Sequence, residues 1–197
     1  MILRTSYFNQ LLQLRDQDLI KVVTGIRRCG KSTLLHAFKQ HLVTDGVAAD
    51  AICFLNFEER ENAHFQSWEQ VYDFIIGNLS AAAKRYVFLD EVQLIPQFEK
   101  LVDALYVKKD IDLYITGSNA YLLSSELSTM LSGRYIAINL HPFSFAEYVT
   151  AFPEVSDMGK LFRQYMNGSC FPESVTLSKV APEQENIYLQ KQYTFYQ

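Results

Sequence analysis

The segment Gly25–Ser32, G-I-R-R-C-G-K-S, has the residue types and spacing of a phosphate-binding loop. Its glycines allow the backbone to approach phosphate oxygens closely, so that successive N–H groups can point at an anion. The Lys31 ammonium can reach the β- and γ-phosphates, and the Ser32 hydroxyl can take one Mg²⁺ coordination position. The pattern predicts a nucleoside triphosphate site whose phosphate contacts come from Gly25, Ile26, Arg27, Arg28, Cys29, Gly30, Lys31, Ser32 and Thr33.

Two carboxylates, Asp90 and Glu91, follow the apolar run Tyr86–Leu89, which predicts a buried strand. An aspartate at the end of such a strand can hold Mg²⁺, and the next glutamate can polarise the attacking water. Charged residues are also common after strands, so this interpretation depends on the phosphate loop. We predict Ser32 and Asp90 as metal ligands, with Glu91 and Lys31 in catalysis. Because transfer to a small-molecule hydroxyl needs no such glutamate, Glu91 favours hydrolysis over a kinase reaction.

Three further polar residues are candidates for contact with the γ-phosphate. Ser118 and Asn119 follow the predicted strand Ile111–Thr116, and either could sense the phosphate by hydrogen bonding. Asn119 is the better candidate and Ser118 the alternative, although one of them could instead cap the next helix. Arg134 precedes a predicted fifth strand, and its guanidinium could stabilise transition-state charge as an arginine finger. The alternative for Arg134 is a surface salt bridge.

The elements that must position these residues alternate between short apolar runs and helical patterns. The runs 19–24, 51–57, 86–89, 111–116 and 135–140 predict strands, and periodic apolar residues between them predict helices. Strands this apolar, separated by helices, are typical of a parallel sheet that is covered on both faces. We therefore predict an α/β fold: a P-loop NTPase three-layer sandwich of about five strands.

The composition excludes several other classes of protein. The chain has 197 residues, a net charge of -4 and 49% hydrophobic residues, so it is neither disordered nor broadly basic. Its three cysteines form no close pair, which argues against a disulfide framework or a cysteine zinc site and suits the cytoplasm. No apolar run is long enough to span a membrane. The stretch Val107–Asp110 lacks the polar first residue of the guanine-reading motif, which favours ATP over GTP.

Five separated stretches within residues 19–148 are similar to one specific family. The stretches are V-V-T-G-I-R-R-C-G-K-S-T-L-L (22–35), F-L-D-E-V-Q (88–93), T-G-S-N-A (116–120), L-S-G-R-Y (131–135) and P-F-S-F-A-E-Y (142–148). They resemble the AAA-type ATPases of bacteria and archaea in which an ATPase domain precedes a region resembling restriction endonucleases. The resemblance implies an ATPase core of the additional-strand, catalytic-glutamate class, with sheet order 5-1-4-3-2.

The resemblance also sets the expected domain organisation. Residues 1–150 should form the ATPase domain, and residues 151–197 a helical or irregular tail that begins a truncated C-terminal domain. Where relatives have G-G-F-P-E, this chain has Gly168–Glu173, G-S-C-F-P-E. The expected activity is hydrolysis of Mg²⁺-ATP coupled to an unknown protein or DNA partner, with homo-oligomers possible through Arg134. A nucleotide-dependent interaction module with little hydrolysis is the alternative.

Overall fold

The computed structural model describes residues 2, 4–117, 131–167 and 170–180. Five strands form one sheet in which all neighbours are parallel, with the order β2-β3-β4-β1-β5. This is the predicted order read from the opposite edge, so the predicted fold is confirmed. The strands are β1 (Ile20–Gly25), β2 (Ile52–Asn56), β3 (Arg85–Asp90), β4 (Ile111–Thr116) and β5 (Tyr135–Leu140).

Seven α-helices lie within the described ranges. They are α1 (Thr5–Leu14), α2 (Lys31–Thr44), α3 (Trp68–Asn78), α4 (Phe98–Tyr106), α5 (Phe145–Ala151), α6 (Met158–Asn167) and α7 (Pro172–Val180). The apolar periodicity predicts α2, α3, α4 and α6. α7 lies within residues 151–197, the stretch expected to be helical or irregular. Proline at the first helical position is compatible with a helix, because that residue's N–H has no partner within the helix in any case.

Helices cover both faces of the sheet because side chains alternate along each strand. On one face, Val87 and Leu89 of β3 join a buried cluster with residues of α3 and α4. On the other face, Phe88 stacks on Tyr114 of β4 with ring centroids 4.7 Å apart. Phe38 of α2 packs against both rings. The two apolar layers hold the strands whose ends carry the predicted site.

The described chain divides into two compact units. The larger unit contains residues 5–25, 31–117 and 131–140, and therefore all five strands and α1 to α4. The smaller unit contains residues 2, 4, 26–30, 141–167 and 170–180, and therefore α5 to α7 and the middle of the phosphate loop. The predicted domain boundary at residue 150 stays a prediction. No helix in the described ranges has the length and apolar character needed to cross a membrane.

Candidate active site

The carboxyl ends of three adjacent strands meet at one edge of the sheet in the larger unit. β4 lies between β1 and β3, and the register pairs Val23 with Thr116 and Leu89 with Ile115. Gly25, Asp90 and Thr116 are the last residues of their strands. Parallel pairing thus brings the end of the phosphate-loop strand to the same edge as the predicted acidic pair.

Asp90 is completely buried at this edge. Its Oδ1 accepts a hydrogen bond from the Thr116 hydroxyl, whereas its Oδ2 has no hydrogen-bond partner among the described residues. An oxygen of this kind is costly to bury unless something else satisfies it. Asp90 therefore has a free acceptor for a cation or for water held by one.

Glu91 has a left-handed backbone conformation, with φ 55° and ψ 47°. Such a conformation costs a non-glycine residue about 1–3 kcal/mol and is often found at functional sites. The Glu91 N–H donates to Thr116 Oγ1 at 2.9 Å. One carboxylate oxygen accepts from Gln93 Nε2 at 2.7 Å, and the other lies 3.4 Å from Lys31 Nζ. The strained backbone and the Thr116 bond together turn the Glu91 carboxylate toward Lys31.

Lys31 is the first residue of α2, and its side chain is 5% exposed. Its ammonium donates to the Gly25 carbonyl oxygen at 3.4 Å as well as pairing with Glu91. The amino end of a helix carries unpaired N–H groups and a partial positive charge, which favour an anion. Ser32 is half-buried and Thr33 exposed in the same first turn. This turn therefore has the charge and the donors that a phosphate needs.

The middle of the phosphate loop, residues 26–30, makes a tight turn within the smaller unit. The Cys29 N–H donates to the Ile26 carbonyl oxygen at 3.3 Å. Arg28 and Gly30 both have positive φ angles, 67° and 98°. Ile26, Arg27 and Arg28 are exposed, whereas the Cys29 side chain is buried. A glycine at position 30 suits this backbone because it adopts positive φ without steric cost.

Thr116 is the residue of this site to which the sequence analysis assigned no role. It is completely buried, and its hydroxyl donates to Asp90 while accepting from the Glu91 N–H. One hydroxyl therefore positions both acidic residues. A polar residue that ends an otherwise apolar strand next to the acidic strand is the signal that could have identified it.

The structure does not bring Arg134 to this edge. β5 pairs in register with β1, from Tyr135 opposite Ile20 to Leu140 opposite Gly25. Arg134 therefore lies just before the start of β1, six residues from the level of Gly25, which is roughly 20 Å at ~3.3 Å per residue. Its guanidinium pairs with Asp103 at 2.7 Å, and both side chains are nearly half exposed. Arg134 does not reach the phosphate site of its own chain in this arrangement, so its role as an arginine finger stays a prediction and requires a neighbouring molecule.

The remaining predicted residues can be placed only in part. Ser118 and Asn119, the two candidate phosphate sensors, lie outside the described residues. Within the ranges that the structure describes, no group of three or more His, Cys, Asp or Glu side chains could hold a metal ion. A metal bound mainly by phosphates, water and one or two protein oxygens needs no such group.

The chain is similar to a protein family and to two curated proteins. A family model described as an AAA domain matches residues 17–149. An uncharacterized protein of Haemophilus influenzae is 40% identical over 179 residues, which are 89% of this chain and 45% of that protein. An uncharacterized protein of Methanocaldococcus jannaschii is 29% identical over 131 residues, which are 66% of this chain and 28% of that protein. The chain thus spans less than half the length of these curated relatives.

Solved structures share the fold at low sequence identity. A Walker-type ATPase of Pyrococcus abyssi has a TM-score of 0.59 at 16% identity, covering 90% of this chain and 66% of that chain. Cdc6p from Pyrobaculum aerophilum has a TM-score of 0.52 at 13% identity, covering 80% of this chain and 49% of that chain. The fold is thus that of P-loop ATPases. Since the family model extends over the phosphate loop, all five strands and most of α5, the chain belongs to the AAA domain family.

Proposed function

We propose that this chain binds Mg²⁺-ATP and hydrolyses it to ADP and phosphate. The observation that carries the proposal is the arrangement around Thr116, in which one buried hydroxyl holds Asp90 and the backbone of Glu91. Glu91 in turn reaches Lys31, the lysine of the phosphate loop. The Asp90 and Glu91 carboxylates and the Lys31 ammonium, which we assign to the cation, the water and the phosphate, thus lie near the carboxyl ends of β1, β3 and β4.

The residues present fit a magnesium ion that arrives with the nucleotide. Asp90 Oδ2 is buried and has no hydrogen-bond partner in the part of the chain that the structure describes, and oxygen is the ligand that Mg²⁺ prefers. Ser32 and Asp90 would hold the ion, directly or through water. When bound, the ion would neutralise charge on the phosphate oxygens.

Each remaining side chain has a separate task in the proposed reaction. Lys31 binds the β- and γ-phosphates and offsets their negative charge. Glu91 orients the attacking water and accepts a proton from it. Both tasks require Lys31 and Glu91 to exchange their mutual contact for contacts with phosphate and water. Lys31 and Glu91 are only 5% and 15% exposed, so the new contacts with phosphate and water have to replace the charge interaction that the pair loses.

One observation favours the alternative, a nucleotide-dependent interaction module with little hydrolysis. Arg134 lies beside the amino ends of the strands, whereas the candidate site lies at their carboxyl ends. It therefore cannot supply positive charge to the γ-phosphate of its own chain. An arginine finger is worth ~10³–10⁵ in turnover, and an isolated chain without one would hydrolyse ATP slowly.

Binding and hydrolysis are tested by separate measurements. A fluorescent ATP analogue, displaced by unlabelled ATP or GTP, gives the two affinities, and we expect ATP to bind more tightly. Lys31→Ala should abolish binding, because it removes charge-assisted contacts to phosphate. Lys100→Ala is the matched control, since Lys100 is exposed on α4 and its ammonium donates to the side chain of Gln97, away from the site. Equal ATP affinity in wild type and Lys31→Ala would contradict the site.

Steady-state phosphate release separates the two proposed functions. Magnesium-dependent release by a chain that binds ATP supports hydrolysis. Tight binding without release at any protein concentration would support the interaction module instead.

A further inference from the structure

Arg4 makes contacts that the proposed function leaves unexplained. It is buried in the smaller unit with 5% of its side chain exposed. Its Nη1 donates to the carbonyl oxygens of Cys29 at 3.2 Å and His141 at 2.7 Å. Its Nε and Nη2 donate to the two carboxylate oxygens of Glu147 at 2.6 and 3.1 Å. A single guanidinium therefore joins the phosphate loop to the segment that follows β5.

The surroundings of Arg4 suit a guanidinium and no other side chain. A buried charge is tolerated only where it is paired and hydrogen-bonded, and Glu147 supplies the opposite charge in a two-pronged contact. The Pro142 carbonyl oxygen lies 3.5 Å from Nη2, and the guanidinium carbon lies 4.9 Å from the centre of the Phe143 ring. Lysine has one nitrogen and could not reach all of these partners at once.

The contact with Cys29 has a consequence for the next peptide N–H. No peptide bond among the described residues is cis, so the Cys29 carbonyl and the Gly30 N–H point in opposite directions. Holding the carbonyl oxygen toward Arg4 therefore fixes the direction of the Gly30 N–H. The peptide needs such a restraint, because Gly30 on its carboxyl side has positive φ and a glycine rotates at little cost.

We propose that Arg4 is a positioning residue for phosphate binding. It holds the Cys29–Gly30 peptide so that the Gly30 N–H faces the phosphate and the Cys29 carbonyl, with its negative end, faces away. This inference rests on the proposed nucleotide binding. Without Arg4 the Cys29 carbonyl loses this donor, and any rotation of the peptide that brings the carbonyl oxygen to the phosphate side repels the phosphate.

Two variants separate this role from a general contribution to stability. Arg4→Met removes every donor and keeps a long apolar side chain. Glu147→Gln removes the charge that pairs with Arg4 but leaves the guanidinium beside Cys29. Glutamine also preserves the capping box at the start of α5, in which Ser144 and residue 147 bond each other's backbone N–H. Both variants should lower the stability of the smaller unit, because both break the ion pair between Arg4 and Glu147. Only Arg4→Met also removes the hydrogen bond to the Cys29 carbonyl oxygen. Arg4→Lys, which keeps one charged donor, should lie between wild type and Arg4→Met.

The chain offers a direct spectroscopic view of this peptide. Cys29-Gly30 is the single Cys-Gly pair in the sequence. Protein labelled with ¹³C at the cysteine carbonyl and ¹⁵N at glycine gives one carbonyl-selected amide signal, that of Gly30. Its position is recorded before and during titration with Mg²⁺-ATP, and the same titration gives the dissociation constant.

We expect wild type and Glu147→Gln to share the Gly30 signal and its response to Mg²⁺-ATP. In Arg4→Met the signal should be displaced before nucleotide is added, and the dissociation constant should rise by roughly 10- to 100-fold, the effect of one charge-assisted hydrogen bond. An unchanged Gly30 signal and dissociation constant in Arg4→Met would overturn the assignment, as would an equal loss in Glu147→Gln. If wild-type Gly30 does not respond to nucleotide, the proposed function itself is contradicted.

Discussion

Glu91 and Lys31 pair with each other in this structure, although the proposed reaction needs each on a different partner. Thr116 keeps the backbone of Glu91 in place, so only its side chain has to move. Before nucleotide binds, the ion pair therefore keeps Lys31 from binding phosphate and Glu91 from binding water. An incoming phosphate has to compete with the Glu91 carboxylate for Lys31. This competition leads to a prediction for Glu91.

Glu91→Gln should bind ATP at least as tightly as wild type and hydrolyse it ~10²–10⁴-fold more slowly. The amide keeps the shape of the side chain but cannot accept the proton, and it no longer competes for Lys31 as a charge. Phosphate release and analogue displacement measure the two effects separately. Glu59→Gln, an exposed position after β2, is the control that should change neither. Turnover equal to wild type in Glu91→Gln would show that Glu91 has no catalytic role and is only a charged residue that follows a strand.

Thr116→Val should raise the Mg²⁺ concentration required for ATP hydrolysis and lower the maximal rate. The methyl group fills the space of the hydroxyl but neither donates to Asp90 nor accepts from the Glu91 N–H. A buried polar group that loses its partner costs ~1–3 kcal/mol, and two groups lose theirs here. The rate of phosphate release, measured over a range of Mg²⁺ concentrations, gives both the Mg²⁺ requirement and the maximal rate. Thr116→Ser keeps the hydroxyl and should restore the wild-type requirement; identical titrations for Thr116→Val and wild type would rule out the positioning role.

At the scale of the elements, a polar network joins β1 and β4 near their amino ends, away from the predicted site. Lys21 and Asp112 form a completely buried ion pair. The Tyr114 hydroxyl donates to Asp112 at 2.8 Å, and the Asp16 N–H donates to it at 2.9 Å. Burial, followed by the charge of Asp112, raises the pKa of the Tyr114 phenol well above its usual value. The network fixes the pairing of the two strands that carry the phosphate loop and Thr116.

Lys21→Met should lower the free energy of unfolding by about 3–5 kcal/mol, because it leaves the Asp112 carboxylate buried without an opposite charge. Denaturant unfolding measures the loss. Lys21→Met/Asp112→Asn removes both charges and should recover part of it. ATP affinity should stay unchanged in whatever fraction remains folded, since the pair lies at the opposite end of the strands from Lys31. A single variant as stable as wild type would show that the pair adds nothing.

At the scale of the whole molecule, the position of Arg134 determines how the arginine-finger hypothesis can still hold. Arg134 lies beside the amino end of β1, at the opposite end of that strand from its own phosphate loop, and it pairs with Asp103. The hypothesis therefore requires a neighbouring molecule, whose site would receive this guanidinium. An exposed pair of this kind contributes only ~0–1 kcal/mol, so Arg134 can leave Asp103 at little cost.

If Arg134 acts in trans, turnover per molecule should rise with protein concentration, and Arg134→Ala should lower it by ~10³-fold or more with little change in ATP affinity. Asp103→Asn is the matched control, because it breaks the same ion pair and leaves the guanidinium intact. Phosphate release measured across a dilution series checks both expectations. A rate that does not depend on concentration, together with equal behaviour of the two variants, would identify the pair as a surface salt bridge.

The sequence by itself determined the features that depend on local pattern and covalent spacing. The eight consecutive residues Gly25–Ser32 contain the whole signal of the phosphate loop. They predict that a strand ends and a helix begins there, with a glycine-bounded loop between them. The alternation of apolar strands and helices determined the parallel sheet, and the resemblance to a known family provided the strand order. The acidic pair at positions 90 and 91 was predictable for the same reason, as charges at the end of a buried strand.

Only the tertiary structure decided which distant residues meet. Thr116 bonds residues 25 and 26 positions away because β3 and β4 are neighbours in the sheet. Arg134 and the phosphate loop flank neighbouring strands but lie at opposite ends of them, since β5 runs parallel to β1. The Arg4 guanidinium reaches Cys29 and Glu147, 25 and 143 positions away, and no periodicity in the chain signals such contacts. Spacing along a chain fixes what neighbouring residues can do, whereas contacts across a fold depend on register and packing, which the whole chain sets together.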